Sequence, residues 1–104
     1  MKAEKDFNPP CWRLYILRCS GGSFYTGITT DIAKRIKVHN SGKGAKYTGR
    51  RTPVELVYFE DCESETRARR RELELKGWRR DKKEALIHGF PSSVLRDFLR
   101  ISGQ

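Results

Sequence analysis

The sequence predicts an α+β fold, a three-stranded antiparallel sheet flanked by helices in the order β-β-α-β-α-α plus a C-terminal helix. Three observations carry this expectation. "WRLYILRC" (12–19) and "SFYTGIT" (23–29) are β-rich runs on either side of a glycine pair, the pattern of a hairpin. "VELVYFED" (54–61) is a third such run, apolar enough to be covered on both faces. Cap residues and breakers mark off helical stretches between and after them. A length of 104 residues suits one domain with one modest core. That domain is expected over 11–104, after a loose arm over 1–10 that stops at Pro9-Pro10.

The hairpin register can be argued from side-chain sorting. A two-residue loop at Gly21-Gly22 would put Tyr15 and Tyr25 on opposite sides of the sheet. A three-residue loop at Ser20-Gly21-Gly22 instead gathers Trp12, Leu14, Ile16, Phe24 and Ile28 on one face. Arg13, Tyr15, Leu17, Tyr25 and Gly27 then form the other. The second register sorts the apolar residues far better, and a slip of one residue would reverse every side chain. It also suits a type I turn closed by Gly22 in the left-handed region.

The next stretch, "TTDIAKRIKVHNSG" (29–42), starts at Thr30 or Asp31 as N-cap and stops between Asn40 and Gly42. Ile32 and Ile36 share one face of this helix. Arg35 and His39 repeat the i, i+4 spacing on a neighbouring face, so their side chains reach the same region. "GKGAKYTGRRTP" (42–53) is a glycine-rich, basic loop closed by Pro53. After the third strand, Ser64 caps a helix running to about Lys76, with Ala68, Glu72 and Leu75 on one stripe. Gly77 breaks it, "WRRDKKEALIHG" (78–89) reads as another helix, and "PSSVLRDFLRIS" (91–102) as a last amphipathic one.

Composition narrows the function classes. The net charge is +9 and the pI about 9.8. Residues 67–83 alone hold nine Lys/Arg against three Asp/Glu. A solvated helix face is the bland explanation, but this density exceeds what solubility needs and points to a polyanionic partner. The expected contacts are Lys43, Lys46, Arg50 and Arg51 in the loop, and Arg69, Arg70, Lys76, Arg79 and Arg80 beyond it. The three cysteines, Cys11, Cys19 and Cys62, show no metal-ligand spacing and read as structural or incidental. No apolar run approaches the roughly 20 residues needed to span a bilayer. "MKAEKDFNPP" has no apolar signal core, so the expected compartment is the cytoplasm.

Singly, each chemistry-bearing residue has an ordinary explanation. Tyr15 and Tyr25 suit strands, Arg35 an exposed helix, and His39 the negative end of a helix dipole. Glu72 suits an ion pair with Lys76, yet it lies on the stripe expected to be buried, where an acid needs a partner or a metal. As a set they are similar to the GIY-YIG endonuclease superfamily. That family places a tyrosine in the first strand (here in "RLY"), Tyr-x-Gly in the second ("YTG"), an arginine on the first helix and a glutamate on a later one. The resemblance spans about residues 12–83 and is closest to small single-domain members, through "YTGITTD", "HNSGKGAKYT" and "RRRELELKGW". It extends to the nuclease domains of excision-repair and structure-specific endonucleases. Two departures stand out: Arg13-Leu14-Tyr15 replaces Gly-Ile-Tyr, and Ile28 replaces a lysine frequent after Tyr-x-Gly in repair nucleases.

The resemblance implies an endonuclease that hydrolyses DNA phosphodiesters, in branched, damaged or single-stranded forms, with Mg²⁺ or Mn²⁺ held by Glu72. Arg35 would hold the phosphate with a permanently charged fork. Tyr15 or Tyr25 would act as base or orient the water, with Arg35 and the metal favouring phenolate over a phenol of ordinary pKa about 10. His39 would position the phosphate or the other tyrosine, and Gly27 would let backbone approach the ligand. A monomer is expected. The rival expectations are a non-catalytic DNA- or RNA-binding domain on the same fold, and an interaction module whose charge is incidental.

Overall fold

The computed structural model describes residues 11–101, so the expected arm over 1–10 and the end of the last helix at Ser102 lie outside the described residues. Strands β1 (Trp12–Arg18), β2 (Phe24–Thr29) and β3 (Glu55–Cys62) form one antiparallel sheet in the order β2-β1-β3. Among the described residues four helices complete it: α1 (Ile32–Asn40), α2 (Glu65–Lys76), α3 (Arg80–His88) and α4 (Ser92–Ile101). The predicted α+β order is the observed one.

The hairpin has the expected register, with Tyr15 opposite Gly27 and Leu17 opposite Tyr25. Its turn differs from the expectation. The Gly22 amide donates to the Cys19 carbonyl at 2.9 Å, and Gly21 and Gly22 both have positive φ, +94° and +96°. A positive φ at Gly21, the third residue of the turn, rules out type I and suits type II, while Gly22 has the left-handed backbone expected of it. Thr26 follows on the strand opposite Ile16.

Both faces of the sheet carry core, more than face sorting alone implies. Leu14, Ile16, Val57 and Tyr58 pack with Leu75 of α2, and Trp78, Leu86, Ile87 and Phe90 lie against them. Tyr15, Leu17 and Leu56 pack on the opposite face with Ile32 and Ile36 of α1, covered further by Leu95 and Phe98 of α4. Burying each such aliphatic side chain contributes roughly 1.5–3 kcal/mol, so α1 is clamped to the tyrosine face. A bulge in the β1–β3 pairing between Ile16 and Leu17 leaves Val57 and Tyr58 on the same side as Leu14.

Caps fix where the helices start. Asp31, not Thr30, accepts the Lys34 amide, and Ser64 accepts the Arg67 amide. Asn40, the last residue of α1, is stapled to the start of β3, its Oδ1 accepting the Val54 amide at 2.8 Å. The Ser20 amide donates to the Arg51 carbonyl at 2.8 Å. The basic loop is therefore anchored at its far end to both the hairpin and α1, and its middle folds back over the tyrosine face.

Candidate active site

Register and helix placement together build one cleft. Tyr15, Tyr25, Gly27 and Ile28 from the hairpin, Arg35 and His39 from α1, Lys43, Gly44 and Ala45 from the loop, and Arg69 and Glu72 from α2 line an open volume of about 340 Å³. The five residues singled out in the sequence thus meet although they come from four elements. Tyr15 and Tyr25 share a face, their ring centroids 6.4 Å apart, and His39 lies edge-on to both at 6.0 and 5.1 Å.

The innermost contacts form a directed chain. Tyr15 Oη lies 3.0 Å from His39 Nε2, and His39 Nδ1 lies 2.7 Å from Thr48 Oγ1. The Thr48 hydroxyl donates its only proton to the Ala45 carbonyl at 3.0 Å. With that bond made, Thr48 accepts from His39, and the neutral imidazole carries its proton on Nδ1. The Nε2 lone pair is left to accept from the Tyr15 hydroxyl. Burial, and secondarily the Arg35 charge, push the His39 pKa below its ordinary value, so the ring is neutral at pH 7.

Burial also pushes the Tyr15 phenol well above its ordinary range, and neighbouring Tyr25 adds to this. Arg35 lowers the pKa but by less, and Glu72 raises it. The expectation that Arg35 would favour phenolate is thus outweighed by desolvation within the chain itself. The structure distinguishes the tyrosines where the sequence does not, since Tyr15 is the one hydrogen-bonded to His39.

Gly27 lines the cleft and has a packing purpose as well. A Cβ there would lie 2.6 Å from Tyr15 Oη and 2.8 Å from Cζ. The absent side chain makes room for the Tyr15 ring across the strand pair. Gly44 does the same for His39, where a Cβ would lie 2.5 Å from Nδ1. Thr48, fully buried, and Gly44 are positions at the site that residue-by-residue reading of the sequence misses. The signal is present in "GKGAKYTG", a glycine-rich loop that carries Gly44 and Thr48.

Glu72 is the acid of the cleft. Its side chain is 19% exposed, and Oε2 pairs with Lys76 Nζ at 3.0 Å. Among the described residues no three His, Cys, Asp or Glu side chains cluster as a metal cage. A single carboxylate in a polar cleft fits a hard cation that keeps most of its water, such as Mg²⁺ or Mn²⁺, and does not fit a stripped zinc-like ion. Arg35 is exposed at the rim and its guanidinium makes no hydrogen bond or ion pair among the described residues, so its fork is available to an anion.

The expected nucleic-acid contacts divide into available and engaged charges. Lys43 lines the cleft, and Lys46, Arg50 and Arg70 are exposed without ion pairs among the described residues. Arg79 is exposed beside Asp81 at 4.0 Å. Arg69 lines the cleft but is bonded to Glu65 at 2.6 Å. Arg51 lies 4.0 Å over the Tyr47 ring and donates to the Tyr47 carbonyl, and Lys76 holds Glu72. Arg80 is committed to the fold: it donates to the Gly22 carbonyl at 2.9 Å, pairs with Glu84 and covers Phe24 at 4.5 Å.

The GIY-YIG catalytic domain model matches residues 11–85, which includes every residue of the cleft. A UPF0213 protein of Haloquadratum walsbyi is 51% identical over 73 residues, covering 70% of this chain and 82% of that protein. Another from Halobacterium salinarum is 49% identical over 74 residues, covering 71% of this chain and 96% of that one. The solution NMR structure of a UPF0213 protein from Bacillus halodurans is 50% identical, with a TM-score of 0.50, over 75% of this chain and 83% of that one. A solution NMR structure of an E. faecalis protein is 39% identical, with a TM-score of 0.55, over 78% of this chain and 86% of that one.

Proposed function

The chain belongs to the GIY-YIG catalytic domain family, and from that premise we propose that it is a metal-dependent endonuclease hydrolysing phosphodiester bonds in DNA. The observation that carries the proposal is the chain Tyr15–His39–Thr48–Ala45 opening onto the cleft that Arg35 and Glu72 also line. A binding surface needs charge. It does not need a buried phenol aimed at an imidazole of fixed tautomer.

In this reading Tyr15 is the proton acceptor for the attacking water. The phenol does not need to ionise beforehand, because it accepts the water's proton on its oxygen while its own proton passes to His39 Nε2. His39 already gives its Nδ1 proton to Thr48, so the imidazolium that forms has both N–H groups bonded. Burial and Arg35 make that cation costly in the free protein, and a phosphate anion on Arg35 offsets part of the cost. Arg35 grips the phosphoryl oxygens, and Tyr25, on the same wall, orients the water. Glu72 would hold Mg²⁺ or Mn²⁺, which supplies charge neutralisation at the phosphoryl and leaving oxygens when bound. Lys43, Lys46, Arg50 and Arg70 would hold the flanking phosphates. A role in DNA repair, monomeric action and a cytoplasmic location belong to the same proposal, as does the division of the chain into an arm over 1–10 and a nuclease domain over 11–104.

Two observations favour a second reading, a nucleic-acid-binding domain without catalysis. Glu72 already has a cationic partner in Lys76, and Ile28 stands where repair nucleases have lysine. A nicking assay on supercoiled, single-stranded, branched and damaged DNA, in Mg²⁺, Mn²⁺ or chelator, separates the two. Metal-dependent nicking supports the nuclease. Binding that ignores chelator, with no nicking of any DNA or RNA, supports the binding domain.

A further inference from the structure

Beside the cleft lies a second recess, a groove of about 290 Å³ lined by Phe24, Tyr25, Thr26, Tyr47, Lys76 and Lys83. The chemistry of its walls is distinct from that of the cleft. The Tyr47 and Tyr25 rings lie nearly parallel, 23° between planes and 6.3 Å between centroids. Tyr47 is 40% exposed, one of the few large hydrophobic side chains to be so among the described residues. Its ring is held, because Arg51 covers it at 4.0 Å and bonds to its backbone carbonyl. Two lysines from α2 and α3 border the same space. Thr26 on the groove wall is 3% exposed, and its hydroxyl is the buried side-chain polar atom without a hydrogen-bond partner among the described residues.

The two recesses share a wall. Tyr25 lines both, and the Glu72–Lys76 pair has its acid in the cleft and its base in the groove. A chain whose phosphate sat on Arg35 would therefore have a neighbouring nucleotide at the groove. Sites for whole small ligands run to about 300–1,000 Å³, so this one suits a single flat group. The part of the Tyr47 ring that Arg51 leaves uncovered offers a stacking surface to any base, and Lys83, which makes no ion pair among the described residues, suits a phosphate beside it.

We propose that the groove binds one unpaired nucleobase of the strand being processed, stacked on Tyr47 and bordered by Lys76 and Lys83. The protein consequently favours DNA with a single-stranded or extruded nucleotide next to the reacting phosphate. A base inside a continuous duplex is already stacked on its neighbours and cannot reach the ring without the cost of extrusion. This inference rests on the nuclease reading only for which strand the groove serves.

The test is binding in chelator, so that no cleavage enters. The probe is a short single-stranded oligodeoxynucleotide carrying 2-aminopurine, compared with the same oligonucleotide in duplex form. The wild type should bind the single strand more tightly than the duplex and change the 2-aminopurine emission on binding. Tyr47→Ala should weaken single-strand binding by about tenfold, the usual scale of losing one base–aromatic stack, and abolish the emission change. Duplex binding should stay within about twofold. Tyr47→Phe should behave as the wild type, and Lys83→Glu should weaken the single-strand complex while leaving the circular dichroism unchanged. Equal loss on single strand and duplex for Tyr47→Ala, or no loss on either, overturns the inference. A wild type that shows the stacking signature but never cuts leaves the groove intact and removes the nuclease reading. One that cuts with no Tyr47 effect does the reverse.

Discussion

The ring of Tyr15 occupies the space that a side chain on Gly27 would need, with its hydroxyl oxygen 2.6 Å from where a Cβ would stand. The glycine of the Tyr-x-Gly signature is thus a steric counterpart of the first-strand tyrosine, paired with it across the hairpin. Gly27→Ala should push the phenol away from His39 and destabilise the fold by about 1–3 kcal/mol, the usual cost of overpacking. The His39 imidazole nitrogen shifts measure the first effect, and thermal unfolding measures the second. A variant with wild-type stability and shifts would mean that the Tyr15 ring moves aside at no cost.

Thr48 dictates the His39 tautomer, which gives a second expectation. Thr48→Val keeps the shape but leaves the buried His39 Nδ1–H without its acceptor, at a cost of about 1–3 kcal/mol. In the folded variant the imidazole should populate both tautomers. Cleavage should fall while affinity for DNA in chelator stays the same, because the Thr48 side chain is fully buried. Equal cleavage by Thr48→Val and wild type would show that the relay through His39 is not used.

Burial, with Arg35 second, lowers the His39 pKa in the folded state relative to the unfolded one. The unfolded chain therefore binds the extra proton first as pH falls, so His39 contributes stability fully above about pH 6.5 and loses it as pH drops through the folded-state pKa. The melting temperature should rise with pH from about 5 to 7 by more in the wild type than in His39→Gln. The activity limb on the acid side should fall in the same window, since a protonated His39 cannot accept from Tyr15. Parallel melting profiles for the two proteins would contradict the assignment.

Arg70 and Arg80 sit on neighbouring basic helices but should behave oppositely. Arg70→Ala should weaken duplex binding and make the slope of log K against log salt shallower by about 0.9 for each phosphate that Arg70 neutralises. Arg80→Ala should leave that slope nearly unchanged and lower the melting temperature, because its guanidinium holds Gly22, Glu84 and Phe24. A flat salt response of the wild type would mean that the charge is incidental.

The contrast between these arginines marks what the sequence makes legible. Element order and hairpin register follow from periodicity, caps and spacing, because those act locally and repeat, whereas the meeting of Tyr15, Tyr25, Arg35, His39 and Glu72 is expected only through the resemblance to the GIY-YIG superfamily. Which cation is available and which is spent on the fold depends on partners far along the chain, as with Arg80 and Gly22. The same holds for Thr48 and Gly44, whose roles exist only once the loop has folded back over His39. The turn type is not legible, because two successive glycines permit either conformation.

The most direct test of the central claim is Glu72→Gln, assayed for cleavage and for binding on the same DNA. The substitution keeps the shape of the side chain and removes the charge proposed to hold the cation. The account predicts metal-dependent nicking by the wild type, cleavage at background in Glu72→Gln, and DNA affinity in chelator equal to or slightly above wild type, since a negative charge has left a positive surface. Undiminished nicking by folded Glu72→Gln, or unfolding of the variant through loss of the Lys76 pair, would contradict it.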